Sequence, residues 1–354
     1  MDSLRFCNPK TIKEDNAIEL LIDIVLLSFL VCIALAIVRM KDLFAVIMLA
    51  GMYGLLSASF FVTMDAVDVA FTEASVGAGI STLLMLTTIS MTGRYENTTR
   101  HRPMLALVVV FVTGSLLIYG TLDMPYFGSA QAPIQLHVAP HYINNSMSEI
   151  GIPNIVTSAL ASYRGFDTFG EVVVIFTAGV AVWALLMVNV QRRKNTEIDD
   201  ANNSTHEQHF IVRFVAKMLI PFILLFALYV QFHGDYGPGG GFQAGVIFAA
   251  AIILYSMVFG LNTARRVISQ PIVQLLTAAG VLLYGSVGIV SLLSGGNFLD
   301  YNVLSADPIA GQHLGILLIE LGVGCTVASV MILIYFNFSG RKNDRELEEH
   351  KETT

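Results

Sequence analysis

Nine apolar runs divide the sequence, and several of them are 18 or more residues long. A helix needs about 20 apolar residues to cross the hydrocarbon core of a bilayer. The alternation over about ten residues that is typical of a membrane β-strand is not visible in any of them. Backbone polar groups must be paired inside lipid, so the sequence predicts an all-α polytopic membrane protein. We place its nine helices at about 17–38, 43–64, 67–91, 104–119, 168–190, 211–232, 242–259, 273–293 and 314–336.

Composition agrees with this class. Hydrophobic residues make up 55% of the chain and charged residues only 13%, whereas charged residues make up about a quarter of soluble domains. The three cysteines, Cys7, Cys32 and Cys325, form no metal-ligand spacing, and no nucleotide-binding or haem-attachment motif occurs. We therefore expect no redox centre, metal or bound cofactor in this chain.

The distribution of basic residues predicts the orientation of the chain. Clusters follow the first, third, fifth, seventh and ninth apolar runs, whereas Arg164 is alone among the connections after even-numbered runs. Under the positive-inside rule, the odd-numbered helices end in the cytoplasm. The N-terminus is therefore predicted outside and the C-terminus inside. The clusters comprise Arg39 and Lys41, Arg94, Arg100 and Arg102, Arg192, Arg193 and Lys194, Arg265 and Arg266, and Arg341, Lys342 and Arg345.

Two polar stretches separate the chain into modules. Residues 191–208 are rich in Asn and charge and have no helical stripe, which indicates a cytoplasmic linker. Residues 120–166 form a long outer connection with four prolines, and a surface-lying helix is one interpretation of part of it. We predict a three-helix module at 1–102, a two-helix module with the outer connection at 103–190, the linker at 191–209, a four-helix module at 210–340 and a charged, solvated tail at 341–354.

A glycine-rich turn joins the sixth and seventh apolar runs, and it reads His233-Gly-Asp-Tyr-Gly-Pro-Gly-Gly-Gly-Phe-Gln243. Pro238 fixes one φ angle, and Gly239, Gly240 and Gly241 tolerate angles that other residues do not reach. The stretch predicts a tight reversal at a membrane surface, in which backbone approaches backbone. A ligand-binding loop is the alternative interpretation.

Ionisable residues inside the apolar runs are costly, and each is therefore a candidate for the ion path. Asp23, Glu73, Glu171 and Glu320 all fall in the predicted outer third of their helices. We expect them to line a carboxylate vestibule that collects cations or passes protons. The full set of ion-path candidates is Asp23, Asp68, Glu73, Asp167, Glu171, Lys217, His233, His313 and Glu320.

Structural explanations compete with this hypothesis at several positions. Asp65, Asp68 and Asp167 lie close enough to the interface to be simply solvated, and Asp167 could pair with Arg164 three residues earlier. Lys217 could extend to the cytoplasmic surface, since long basic side chains reach water from inside a membrane. Small residues at Gly77, Gly79 and Ser81 favour close helix packing, although a bending or rotating helix has the same signature.

Several motifs resemble those of multi-subunit Mrp-type cation/proton antiporters. The run Pro238-Gly-Gly-Gly-Phe-Gln243, together with Ile319-Glu-Leu-Gly-Val-Gly324, resembles the B subunit. The run Asp68-Val-Ala-Phe-Thr-Glu73 with Gly77-Ala-Gly79 resembles the C-terminal membrane segment of the A subunit, although Val67 stands where that family has proline. Asn154-Ile-Val-Thr157 is similar to the segment that follows. Small subunits of membrane-bound hydrogenases are related to these segments.

The resemblance implies a natural fusion of the A-subunit tail with the B subunit. It further implies a subunit of a sodium/proton antiporter in a bacterial inner membrane, with transported Na+ and H+ and with truncated A, C, D, E, F and G subunits as partners. Such a subunit would not act alone. Two alternatives stay open: a purely structural subunit whose carboxylates hold helices together, and a subunit of a redox-driven complex such as a membrane-bound hydrogenase.

Overall fold

The computed structural model describes residues 9–96, 103–126, 129–187 and 210–352, and this part of the chain is helical and contains no β-strand. Two π-helical segments interrupt the α-helices, at Ala74–Ile80 between α3 and α4 and at Ser158–Tyr163 after α8. A 3-10 helix lies at Tyr301–Leu304. The α-helices are α1 Pro9–Arg39, α2 Leu43–Thr63, α3 Val67–Glu73, α4 Ser81–Thr92, α5 Pro103–Thr121, α6 Pro133–Leu136, α7 Val138–Glu149, α8 Ile155–Thr157, α9 Gly165–Met187, α10 Phe210–His233, α11 Gly241–Phe259, α12 Leu261–Val267, α13 Gln270–Leu293 and α14 Pro308–Glu352.

Nine spans among the described residues are long and apolar enough to cross a membrane, which confirms the predicted class. The third span combines α3, the first π-helical segment and α4. The predicted linker lies outside the described residues, and the orientation of the termini stays a prediction. The spans are Ile18–Arg39, Leu43–Thr63, Val67–Thr92, Met104–Thr121, Gly165–Leu186, Phe210–His233, Gly241–Phe259, Gln270–Leu293 and Pro308–Gly340.

The last four long helices form the packed part of the molecule. α14 lies against α9, α11 and α13, and its buried residues include Ile316, Val327 and Phe336. Glycines allow these helices to approach closely: a Cβ atom at Gly322 would lie 2.8 Å from the carbonyl oxygen of Gly280 on α13. Small residues at helix contacts are the usual means of association inside lipid, where the hydrophobic effect does not separate helix from solvent.

Close packing also occurs between α2 and the first π-helical segment. A Cβ atom at Gly54 would lie 2.8 Å from the carbonyl carbon of Gly77. The small residues predicted to permit close packing therefore do so, and the same segment is π-helical, a conformation in which hydrogen bonds span one more residue than in an α-helix. By contrast, the α5 span has none of its residues buried within the described part of the chain.

Two regions differ from the sequence prediction. The predicted outer connection contains α6, α7, α8 and the second π-helical segment, and residues 155–163 fold against the bundle instead of leaving it. The last helix begins at Pro308, six residues before its predicted start, and continues to Glu352 through most of the predicted tail. Glu320 consequently lies 12 residues into α14, about 18 Å from its start.

Candidate functional site

The glycine turn between α10 and α11 is folded tightly onto the end of α10. The amides of Tyr236 and Gly237 donate to the carbonyl oxygen of His233, at 2.9 and 3.0 Å, and the amide of Gly240 donates to that of Val230 at 3.0 Å. Gly240 has a φ of +110°, which residues with a side chain rarely adopt. A Cβ atom at Gly241 would overlap the backbone oxygen of Glu320. The turn is thus a close backbone contact with α14, as the sequence predicts.

Two polar residues from another part of the chain hold this turn. The Nδ2 of Asn154 donates to the carbonyl oxygens of Gly234 and Gly237, both at 3.0 Å. The hydroxyl of Thr157 donates to the same oxygen of Gly234 at 2.7 Å, and the backbone amide of Asn154 donates to the carbonyl oxygen of Asp235 at 3.1 Å. We call these four hydrogen bonds the Asn154 clamp. Sequence analysis did not assign it, although Asn154 and Thr157 stand in one of the family-like motifs.

A cavity of about 320 Å³ lies beside the turn, and three predicted ion-path carboxylates line it. Asp68 comes from α3, Glu171 from α9 and Glu320 from α14. Glu320 lies directly against the turn, because a Cβ atom at Gly240 would be 3.1 Å from its Oε1. Only a glycine at this position leaves that space to the carboxylate.

Hydrogen bonds fix the other polar walls of the cavity. The amide of Gly239 donates to Oδ1 of Asp68 at 3.3 Å. The Nε2 of Gln243 donates to the hydroxyl of Thr72 at 2.9 Å, which ties α11 to α3. Thr72 lies four residues after Asp68 and therefore on the same helix face. The cavity thus combines carboxylate, amide and hydroxyl oxygens from helices far apart in the sequence.

Asp235 and His313 form a second polar contact at the turn. Oδ2 of Asp235 lies 4.0 Å from Nδ1 of His313, which is a predicted candidate near the start of α14. Burial raises the pKa of the Asp235 carboxyl above its usual value, and the nearby His313 ring opposes that shift. Asp235 was not among the predicted candidates, because a turn between two spans suggests solvation and gives no sign of burial.

The predicted vestibule of Asp23, Glu73, Glu171 and Glu320 is wrong in part, since only Glu171 and Glu320 line the shared cavity. Asp23 accepts a hydrogen bond from Thr63 at 2.8 Å. Glu73 lies over Gly77, where a Cβ atom would be 2.6 Å from its Oε1. The reason is helical phase: five residues separate Glu73 from Asp68, so the two side chains point to different faces of α3.

The remaining candidates lie away from the cavity. Asp167 pairs with Arg164 at 2.6 Å, and both side chains are more than half exposed, which favours the structural explanation. Nζ of Lys217 lies 5.8 Å from the centroid of the Phe259 ring. His233 stacks on Tyr229 with ring centroids 4.9 Å apart. The searched part of the chain contains no group of three or more His, Cys, Asp or Glu side chains that could hold a metal ion.

A wide polar cleft of about 750 Å³ lies near the start of α14 and is also acidic. Glu149, Asp300 and Asp307 line it. Glu149 accepts a hydrogen bond from the hydroxyl of Tyr163, and Oδ1 of Asp307 accepts from the amide of Ile309 at the start of α14. The cleft and the cavity lie on either side of the second π-helical segment, because Ser162 and Tyr163 line the cleft while Leu160 and Ala161 line the cavity.

Comparison with known protein families gives three consecutive matches. Residues 28–94 match the family of the MBH D-type polypeptide, MbhD, and residues 102–201 match that of the E-type polypeptide, MbhE. Residues 211–333 match a domain related to the MnhB subunit of Na+/H+ antiporter. The Asp68 side of the cavity therefore lies in the first match, the Asn154 clamp in the second and the glycine turn in the third.

Curated relatives agree with these matches. The chain is 27% identical over 316 residues to a probable K(+)/H(+) antiporter A/B polypeptide of Rhizobium meliloti, covering 82% of this chain and 31% of that protein. It is 34% identical over 141 residues to the putative antiporter subunit mnhB2 of Staphylococcus aureus, covering 39% of this chain and 99% of that protein. The chain thus spans about a third of the length of the A/B relative.

Two solved structures are similar in fold. A chain of the Mrp complex from Dietzia sp. superposes with a TM-score of 0.71 at 24% identity, covering 89% of this chain and 34% of that one. A chain of the membrane-bound sulfane sulfur reductase, an archaeal respiratory membrane complex, gives a TM-score of 0.51 at 28% identity, covering 67% and 97%.

The spans and the antiporter relatives define a class: this is a multi-pass inner-membrane protein, and a transporter subunit rather than an enzyme of the usual kind. The family follows from the nearly complete match to mnhB2. The chain belongs to the MnhB family of antiporter subunits through residues 211–333, and regions related to MbhD and MbhE precede that part. This order is the fusion predicted from the motifs.

Proposed function

We propose that this chain is an ion-conducting membrane subunit of an Mrp-type monovalent cation/proton antiporter, and that the cavity beside the glycine turn is part of its ion path. One observation carries the proposal: Asp68, Glu171 and Glu320 reach a single cavity from three different helices. Carboxylates at membrane depth are costly and are usually retained for transport or helix contact. A cavity shared between three of them favours transport, since helix contact alone leaves no space to fill.

The chemistry of the cavity suits exchange of a proton for a cation. A carboxylate can hold either a proton or a small cation, so the two compete for the same oxygen atoms. The amide oxygen of Gln243 and the hydroxyl of Thr72 add neutral oxygen ligands, which hard cations accept. Binding of one ion then requires release of the other, which is the elementary step of antiport. Inward proton movement would in this way drive outward sodium movement.

The acidic cleft provides a route from the aqueous phase. Negative side chains around a cleft raise the local concentration of cations. Glu149, Asp300 and Asp307 would attract cations and protons to the end of the bundle at which the cavity lies. Passage from the cleft to the cavity would then require movement of the second π-helical segment or a path around it.

The chain would work only with other subunits. It spans about a third of the A/B relative, so antiport by the isolated chain is not expected. We propose partners of the truncated A, C, D, E, F and G types, with Na+ and H+ as transported ions and with no resident cofactor. The direction and stoichiometry of transport belong to that complex.

The test is ion exchange by the assembled complex in proteoliposomes. Glu320→Gln, Asp68→Asn and Glu171→Gln should each reduce Na+-driven proton movement at least tenfold, while the complex still purifies intact. Asp167→Asn is the matched control, because it removes a carboxylate from α9 that is paired at the surface. Loss of assembly, or transport that equals the control in all three variants, would support a structural role instead.

A redox-driven complex is the second candidate, and a specific observation favours it. The sulfane sulfur reductase chain is covered almost completely, at 97% of its length. Gentle purification of the native complex separates the two candidates. Co-purifying hydrogenase or reductase subunits would favour the redox-driven complex, whereas antiporter-type subunits alone would favour the proposed antiporter.

A further inference from the structure

A second cavity, remote from the carboxylates, lies among the last four long helices. It has a volume of about 280 Å³ and is lined almost wholly by apolar atoms. Its walls come from α10, α11, α13 and α14, and we call it the α10/α13 groove. Its exposed wall residues include Leu228 on α10 and Leu276 on α13, so the groove is open at the surface of the bundle between these helices.

One end of the groove is polar. The carboxamide of Gln231 lines it, is 7% exposed, and has no hydrogen-bond partner for its Nε2 among the described residues. A Cβ atom at Gly324 would lie 2.6 Å from the Oε1 of Gln231, which places the carboxamide against α14. An unpaired amide in an apolar setting costs free energy that a hydrogen-bond acceptor would recover. The groove therefore lacks one polar ligand atom, and it lacks it at this end.

The position of Gln231 along the membrane normal follows from α11. Gly240, which directly precedes α11, donates its amide to the carbonyl oxygen of Val230, so Gln231 is level with the start of α11. α11 has 19 residues and is about 28 Å long, close to the ~30 Å of a hydrocarbon core. Gln231 thus lies at one edge of the hydrocarbon core, where the ester carbonyls of phospholipids begin.

The length of the groove fits one leaflet. On α14 its walls extend from Leu321 to Ile332, 11 residues or about 16 Å along the helix. Half of the hydrocarbon core is about 15 Å thick. The groove therefore begins at the interface beside Gln231 and ends close to the bilayer midplane among Val273 and Ile332.

The width of the groove selects its occupant. Its volume spread over its length gives a mean cross-section of about 17 Å². A helix of 10 Å diameter needs about 80 Å², whereas a hydrocarbon chain with about 4 Å between non-bonded carbons needs about 13 Å². We propose that the α10/α13 groove binds one acyl chain of a bilayer phospholipid, with the Gln231 amide donating to the ester carbonyl of that chain.

Photolabelling tests this assignment on the intact complex. The complex is reconstituted in nanodiscs with a phospholipid that carries a diazirine in mid-chain, irradiated, and digested for peptide mapping. Label is expected on the groove walls, at positions such as Leu228, Leu276 and Ala328. Ala328→Phe fills the groove and should reduce this labelling at least fivefold. Ala250→Phe, in a different apolar groove between α11 and the first π-helical segment, is the matched control and should leave it unchanged.

A second variant addresses the polar end without filling the groove. Gln231→Leu keeps the approximate volume but removes the donor, and it should reduce the phospholipid retained after detergent washing by about fivefold, the equivalent of one net hydrogen bond. Native mass spectrometry of the washed complex counts the lipid retained. Equal labelling in Ala328→Phe and Ala250→Phe would overturn the proposal. So would cross-links from the groove walls to another polypeptide of the complex, which would identify a protein occupant. Neither outcome bears on the ion path.

Discussion

The two ends of the chain differ sharply in how far they bury themselves. In the five spans before residue 188, at most 17% of the residues are buried, and the α5 span buries none. In the spans of α11 and α14 the fractions are 50% and 61%. Helices in a bilayer need no burial to form, because their backbone hydrogen bonds are internal. The comparison indicates that α11, α13 and α14 form a self-sufficient bundle, while the earlier helices depend on lipid and neighbouring subunits for their surroundings.

The comparison predicts its largest effect at glycines. In Gly280→Val, the new side chain on α13 would overlap Thr326 and the backbone of Gly322, and overpacking of this kind costs several kcal/mol. We expect loss of the folded, monodisperse protein, measured by size-exclusion chromatography and thermal unfolding in detergent. Gly114→Val on α5 is the matched control, since no atom lies within 4 Å of its Cβ position. Equal damage from both variants would show that the difference in burial is not a difference in packing.

The next effect concerns the junction between the two regions. Combining Asn154→Ala with Thr157→Ala removes three of the four hydrogen bonds of the Asn154 clamp, and we expect a loss of about 3 kcal/mol because the carbonyl oxygens of Gly234 and Gly237 stay behind unpaired. A protease site placed within residues 191–208 allows the chain to be cut after folding. The cut halves should co-purify in the parent protein and separate in the double variant.

An exposed asparagine provides the control for that experiment. Asn145 contacts His141 at the surface, and Asn145→Ala should leave the cut halves together. Halves that stay together in the double variant would show that the remaining contacts, such as that of Gln243 with Thr72, suffice to join the two regions.

A smaller effect is expected where the first region supplies a wall of the cavity. Thr72→Val removes the acceptor for Gln243, worth about 1 kcal/mol, and should reduce antiport several-fold. Glu73→Gln, one residue later, changes a side chain on another helix face and should affect antiport less. Initial rates of ion exchange at saturating sodium compare the two variants. A larger loss in Glu73→Gln would assign the path to the α2 side of α3.

The smallest effect is a pH dependence of stability at the turn. Burial raises the pKa of Asp235, so the folded state favours its protonated form. This contribution to stability is present below the unfolded pKa and is lost as pH rises through the higher folded pKa. Asp235→Asn should therefore flatten the decline in melting temperature from about pH 4 upward, the region above the usual aspartate pKa. His313→Asn should steepen it, since the His313 ring opposes the shift. Identical profiles for all three proteins would contradict this.

Helices and the turn could be predicted from sequence, because apolar length and glycine content are local properties. The glycine turn and the three-residue approach at Gly239, Gly240 and Gly241 required no knowledge of distant residues. The partners of the turn could not be predicted in the same way. Asn154 lies 80 residues before Gly234, and nothing in either segment specifies the other.

Side-chain direction was the weaker part of the prediction. Membrane depth alone placed Glu73 in the same vestibule as Glu320, but depth does not determine the face of a helix. Counting along α3 would have separated Glu73 from Asp68 and grouped Asp68 with Thr72, because residues four apart share a face. Beyond Glu73 such counting fails, since the π-helical segment at Ala74–Ile80 changes the residues per turn.

The Asn154 clamp has a consequence for the assembly of this protein. In relatives such as mnhB2, the part that contains the turn is a polypeptide of its own, and it must find its neighbour by diffusion. Here both sides of the contact belong to one molecule, for which connected segments typically experience effective concentrations in the millimolar range. Four hydrogen bonds too weak to recruit a free polypeptide can therefore remain closed at any expression level, and the two portions are always present in equal numbers.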